Sequence, residues 1–121
     1  MNPNNYASLE ASRRLAEAGI VLETDHSWIW ILPDARTGYA IDTTWRVQSN
    51  PMYGKLPAPS MAEVWRELPE ASAYLHTNRE TEAWLEDEGD IVPKSESFAN
   101  INPADALIEL LIWARKEASH E

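Results

Sequence analysis

The side chains of this 121-residue chain that could do chemistry are mainly aromatic and acidic. The chain has six tryptophans and no cysteine. Absence of cysteine excludes thiol catalysis and a cysteine zinc site. The three histidines, His26, His76 and His120, are isolated in sequence, which argues against a histidine-based metal site. We therefore expect no metal and no other cofactor.

The most conspicuous aromatic group is formed by Trp28, Trp30, Tyr39 and Trp45. Trp28 and Trp30 are two residues apart in an apolar, β-branched segment, so they share one face of a predicted strand. Tyr39 and Trp45 would lie on the same face of the neighbouring strand. Such a face could stack on a base, a sugar or a partner side chain. The alternative is an ordinary core, in which these rings pack under the C-terminal helix and Ile29 and Ile31 face outward.

A second candidate for binding is an acidic run between residues 80 and 90 that contains no basic residue: Glu80, Glu82, Glu86, Asp87, Glu88 and Asp90. Repeated negative charge could imitate a nucleic-acid backbone toward a basic host protein, and charge complementarity would raise the association rate. We take Glu82, Glu86 and Glu88 as the partner-binding acids of this run. The alternative is a solvated face that only keeps the chain soluble.

For catalysis, the richest local grouping is Asp25 and His26 with Asp42 and Arg46. A hairpin could bring them together as acid, base and anion clamp. The sequence contains no nucleophile elbow, no phosphate-binding loop and no HExxH motif. We therefore expect no enzymatic activity and keep a hydrolase only as a remote alternative.

Composition and charge narrow the function classes further. The chain has 44% hydrophobic residues, typical of a globular domain, and no apolar run exceeds five residues, so we expect neither a signal peptide nor a membrane anchor and place it in the cytosol. Its formal net charge is −10. Residues 61–121 contain 14 acidic and five basic residues, a net charge of −9. Such acidity disfavours direct binding of nucleic acid or of a membrane.

The first half of the chain predicts one helix and one hairpin. Residues 8–18 are rich in helix formers, with Ala11, Leu15 and Ala18 on one stripe, and Gly19 ends the helix. Residues 28–32 and 39–45 form the two strands, joined by a turn. Residues 48–59 contain three prolines and are predicted to be an extended loop.

The second half predicts two helices separated by two short strands. Ser60 and Glu63 form a capping box before a short helix whose apolar stripe is Met61, Val64, Trp65 and Leu68, and Pro69 ends it. Residues 73–78 and 81–85 are predicted as strands, although residues 80–88 also fit a helix. A connection follows, and Asn102 then caps a nearly all-apolar helix from Pro103 to about Lys116.

This order of elements, α-β-β-α-β-β-α, predicts a small single α+β domain with helices on one face of a mainly antiparallel sheet. Three segments in this order, LEASRRLAEAGIVLET, LPAPSMAEVWRELP and NPADALIELLIWARKE, resemble small proteins encoded in bacteriophage and prophage genomes, a group with no assigned activity. The resemblance implies a phage or mobile-element accessory protein in a bacterial cytoplasm. It transfers no site residue.

We therefore expect a non-enzymatic phage accessory protein that binds a host protein through its acidic second half, aided by exposed aromatic surface. The main alternative is a nucleotide- or sugar-binding protein that uses the Trp-rich hairpin, with Arg36 or Arg46 as the nearest cation. The oligomeric state is left open.

Overall fold

The computed structural model describes residues 6–32, 38–44, 52–70, 72–86 and 97–119. The elements in these ranges are α1 (Leu9–Glu17), β1 (His26–Ile31), β2 (Ala40–Thr43), β3 (Tyr53–Pro57), α2 (Met61–Trp65), β4 (Ser72–His76), β5 (Thr81–Leu85), β6 (Phe98–Asn100) and α3 (Pro103–Ser119). All strand pairs are antiparallel. The predicted α+β class is confirmed, and the strands form two sheets, ordered β2-β1-β3 and β4-β5-β6.

Helix α1 lies within the predicted residues 8–18, and Gly19 ends it as predicted. The Ser8 hydroxyl accepts a hydrogen bond from the amide three residues later at 3.1 Å. Gly19 has a φ of 75°, and the Ile20 amide donates to the Leu15 carbonyl at 3.0 Å, which closes the helix end. Ala18, predicted on the same stripe as Leu15, is exposed because it is already the C-terminal cap.

Helix α2 confirms the predicted capping box. The Glu63 amide donates to the Ser60 hydroxyl at 3.2 Å, and the Ser60 amide donates to the Glu63 carboxylate at 2.8 Å. Val64 is fully buried, whereas Trp65, predicted on the same apolar stripe, is 39% exposed. The helix therefore buries only part of its apolar face.

Helix α3 is the most buried helix, as predicted. Asn102 caps it, since its side-chain oxygen accepts from the Ala104 amide at 2.9 Å. Four side chains on two successive turns of the helix are fully buried: Leu107, Ile108, Leu110 and Leu111. Among the described helices, none combines the length and apolar composition needed to cross a membrane.

The prediction that α3 packs on the Trp28 hairpin is wrong. Helix α3 instead packs on β5 and β6 and contacts α1 and α2. The side chains of Thr81, Ala83 and Leu85 alternate along β5 and are all buried, so they present a smooth face to a helix. The main core consequently lies between the helices and the second sheet.

Strands β3 and β6 were not predicted. Strand β3 lies within the predicted loop and pairs with β1, with Gly54 opposite Trp30. Strand β6 lies in the predicted connection and pairs with β5. Neither segment shows period-two alternation, and Pro57 at the end of β3 is tolerated because β3 is an edge strand of its sheet. Pairing with a central strand, rather than local propensity, makes these segments extended.

Candidate functional site

The Trp28 and Trp30 side chains lie on one face of β1 together with His26, as their spacing predicts. This face is contacted by the chain's own N-terminal segment. The Trp28 indole donates to the Ala7 carbonyl at 2.9 Å, and the Tyr6 ring lies 4.5 Å from the His26 ring, centroid to centroid. Both tryptophans are half-buried.

Tyr39 joins this aromatic group but is held by α1. The Trp30 and Tyr39 rings meet edge to face with centroids 5.5 Å apart. The Arg13 guanidinium donates to the Tyr39 hydroxyl at 2.7 Å and lies 5.3 Å from the ring centroid. Residues 6–13 thus contact the aromatic face, where the core alternative predicted the C-terminal helix, and Tyr39 is still 39% exposed. Trp45 lies outside the described residues.

The described residues do not assemble the catalytic grouping proposed for a hydrolase. His26 pairs with Thr43, whereas Asp42 belongs to the next register position, so the His26 and Asp42 side chains leave opposite faces of the sheet. Asp42 accepts a hydrogen bond from the Thr43 amide at 2.7 Å. Asp25 is exposed, and Arg46 lies outside the described residues.

The acidic run is described only in its first part. Glu82 lies on the face of β5 that points away from α3, opposite Leu75 of β4, and Glu86 is exposed just after β5 ends. The strand prediction for residues 81–85 is confirmed, and the helix alternative is wrong there. Glu88, with Asp87 and Asp90, lies outside the described residues.

An exposed aromatic group lies on the second sheet, where the sequence did not predict it. Trp65 is 39% exposed and Tyr74 is 44% exposed, and their rings meet edge to face with centroids 5.1 Å apart. The His76 ring stands edge to face against Tyr74 at 6.0 Å. We call Trp65, Tyr74 and His76 the aromatic edge.

The aromatic edge is positioned by α2 and by the alternation of β4. Tyr74 and His76 are two residues apart, so they point to the same side of the sheet. Trp65, at the end of α2, leans against Tyr74. The His76 Nδ1 is hydrogen-bonded to the buried Thr81 hydroxyl, which fixes the ring. These contacts hold the exposed rings in place in the isolated chain.

Sequence reasoning missed the aromatic edge because Trp65 has the spacing of a core residue, four positions after Met61. A sequence signal was nevertheless present in β4. Its sequence, Ser-Ala-Tyr-Leu-His, contains none of the Lys or Pro residues that commonly protect an edge strand. Leu75, on the other face of β4, is 53% exposed.

The surroundings of the aromatic edge are acidic. Residues 60–86 contain six acidic and two basic residues, a net charge of −4. The basic residues are Arg66 and Arg79, both exposed. The edge therefore combines exposed aromatic surface with an excess of negative charge.

Two cavities bear on the small-molecule alternative. One of about 310 Å³ is lined by Val21, Leu22, Glu23, Glu63, Arg66 and Glu67. The other, of about 90 Å³, lies between α1 and α3, where Arg14 and Glu109 form a salt bridge of 3.0 Å. Neither cavity is lined by the Trp28 hairpin. Within the described ranges, no three His, Cys, Asp or Glu side chains form a group that could hold a metal ion.

Beside the smaller cavity, Asp105 connects the start of α3 to the start of α1. Its carboxylate accepts from the Ser8 amide at 2.8 Å. Asp105 is only 6% exposed. Burial raises the pKa of this carboxyl above its ordinary value, and the nearby Glu109 and Glu10 act in the same direction, against the hydrogen bond from Ser8. This contact joins the starts of the two helices, and we assign it a structural role.

Comparison of the chain with protein-family models, with curated proteins and with solved structures found no match. The resemblance to phage-encoded proteins therefore stays a prediction.

Proposed function

We propose that the protein acts without turnover of its own, by binding a host protein with a basic surface through the aromatic edge. One observation carries the proposal: Trp65 and Tyr74 are 39% and 44% exposed while in contact with each other, within a segment of net charge −4. The resemblance noted above suggests a bacterial host and a phage or mobile-element origin.

The residue types of the aromatic edge suit a protein interface. Tryptophan and tyrosine are enriched among the residues that contribute most to binding energy. Their exposed rings offer large contact areas with few rotatable bonds. Because Trp65 supports Tyr74 and Thr81 fixes His76, little side-chain freedom remains to be lost on binding.

The acidic surroundings suit a basic partner. Opposite charges raise the rate of encounter, and this effect weakens as salt screens the charges. The Debye length is about 8 Å at physiological ionic strength, so the half-buried Glu82 and the exposed Glu86 would attract a basic surface from beyond contact distance. Charge thus governs association, while the aromatic contacts govern dissociation.

The test begins with capture of the partner from a bacterial lysate on the tagged chain, followed by binding kinetics with the purified partner. Trp65→Ala should speed dissociation at least about tenfold, the effect of losing a residue central to an interface. Ile101→Ala, which shortens an 84%-exposed apolar side chain next to β6, at the opposite edge of the sheet from β4, is the control and should leave dissociation unchanged. Equal dissociation of the Trp65 variant and the parent would contradict the proposal.

The charge contribution is tested by replacing Glu82, Glu86 and Glu88 with Gln. This variant should associate more slowly than the parent at low salt, and the difference should shrink at high salt. The matched control replaces three acids of the first half, Glu10, Glu17 and Glu23, which makes the same change in net charge. If both triple variants associate at the parent's rate, the acidic run is only a solubilising face.

A further inference from the structure

The backbone of β4 has hydrogen-bonding groups that point away from its sheet. The Thr77 amide donates to the Glu80 carbonyl at 2.9 Å, which closes the β4–β5 hairpin. Hydrogen-bonded and non-hydrogen-bonded pairs alternate along an antiparallel ladder. Leu75 therefore exchanges hydrogen bonds with β5. The N–H and C=O groups of Tyr74 and His76 point outward.

Within the described part of the chain, these outward groups have no backbone partner. Strand β4 is the first strand of its sheet, and no hydrogen bond reaches the outward groups of Tyr74 or His76. At the start of the strand the outward amide is already used, because the Ser72 amide donates to the Pro69 carbonyl at 3.0 Å. Strand β4 is thus a short, open edge.

Natural edge strands are usually protected by charged residues, proline or bulges. Strand β4 has none of these and is exposed on both faces, through Tyr74 on one side and Leu75 on the other. Its exposed groups match what strand addition requires, since main-chain hydrogen bonds supply affinity and alternating side chains supply specificity.

We propose that the host partner binds by adding an extended, basic segment as a strand beside β4, with main-chain hydrogen bonds to Tyr74 and His76. This inference rests on the proposed function. Alternate apolar side chains of the added strand contact Trp65 and Tyr74. The side chains between them lie on the face of Leu75 and Glu82.

Charge favours a basic segment over a second copy of this chain. Glu82 sits on the strand next to β4, so the added strand lies about 10 Å from it at the backbone, two strand spacings away. An extended Lys or Arg side chain covers most of that distance. A second copy would instead place two segments of net charge −4 side by side.

The experiment uses the full chain and a synthetic ten-residue peptide in which Lys alternates with Val. An analogue in which Glu replaces each Lys is the charge control. Amide hydrogen exchange, followed by NMR, should slow at least about tenfold at Tyr74 and His76 when the Lys peptide is added, because these amides gain hydrogen bonds. The Glu analogue should leave both amides unchanged.

Two substitutions at one position isolate the backbone contribution. Both His76→Pro and His76→Thr remove the imidazole and its bond to Thr81, but only proline removes the outward N–H. Proline is tolerated on an edge strand where its nitrogen faces solvent. His76→Pro should bind the Lys peptide and the captured partner at least about tenfold more weakly than His76→Thr. Exchange in the parent chain supplies the same test if the proline variant does not fold.

The outcomes separate this inference from the proposed function. Unprotected Tyr74 and His76 amides, or equal binding by the two His76 variants, would overturn strand addition. If Trp65→Ala still weakened binding of the captured partner in that case, the proposed function would stand with another binding mode. If Trp65→Ala had no effect either, both would fail. Equal binding of the Glu analogue, or self-association abolished by His76→Pro, would overturn the basic segment as the occupant.

Discussion

Replacing Leu111 by alanine tests the placement of the core. Leu111 is fully buried on α3, and its helix neighbours Leu107, Ile108 and Leu110 are fully buried as well. The substitution removes three carbon atoms from a fully buried site on the helix that packs against the second sheet and the two other helices. Because the surroundings are packed on every side, they cannot collapse fully into the space, and a cavity remains.

The expected loss of stability is about 2 to 5 kcal/mol, the range for Leu→Ala in enclosed cores. For a chain of 121 residues, 1 kcal/mol corresponds to about 4 °C in the melting temperature. The melting temperature should therefore fall by roughly 8 to 20 °C. Urea titration should show a lower midpoint with an unchanged slope, since the folded and unfolded surfaces stay similar.

The matched control is Leu75→Ala, the same chemical change at a side chain that is 53% exposed. It should cost less than about 1 kcal/mol, because most of the removed surface was already in contact with water. Both variants are measured by thermal unfolding and urea titration. Equal losses at Leu111 and Leu75 would refute the placement of α3 at the centre of the core.

Three further predictions concern single contacts. Ser60→Ala should destabilise by about 0.5 to 2 kcal/mol through loss of the cap, with faster exchange of the Glu63 amide. Gly54→Ala should displace the Trp30 indole that lies over this glycine, change the near-ultraviolet circular dichroism, and cost about 1 to 3 kcal/mol. Asp105→Asn should remove a pH dependence of the free energy of unfolding. The raised pKa means that the folded chain binds the Asp105 carboxyl proton more tightly than the unfolded chain does.

The sign of the pH effect follows from the direction of the pKa shift. The stability contributed by protonated Asp105 is fully present below the ordinary value of 3.8 and is lost as the pH rises through the higher pKa of the folded state. The parent's free energy of unfolding should therefore fall relative to that of Asp105→Asn as the pH rises above about 3.8. Parallel pH profiles of the parent and Asp105→Asn would contradict the Asp105 prediction. Unchanged exchange of the Glu63 amide in Ser60→Ala would contradict the cap. An unchanged Trp30 signal in Gly54→Ala would contradict the contact between Trp30 and Gly54.

The sequence predicts an element well when the ends of that element are set by neighbouring residues. Gly19, Ser60 and Asn102 act through groups only a few positions away, so the end of α1 and the starts of α2 and α3 could be predicted. The alternation of β5 was equally local. Strands β3 and β6 could not be found in this way, because each is extended only through pairing with a strand distant in sequence.

The sequence by itself determined the α+β class, the N-terminal caps of α2 and α3, the acidic second half and the shared face of Trp28 and Trp30. Only the tertiary structure decided which apolar side chains reach solvent. Spacing makes residues share a face but does not say what covers that face. Tertiary packing decides what covers a face. It placed residues 6–13 against the Trp28 hairpin and α3 against the second sheet. It left Trp65 and Tyr74 exposed at the edge of that sheet.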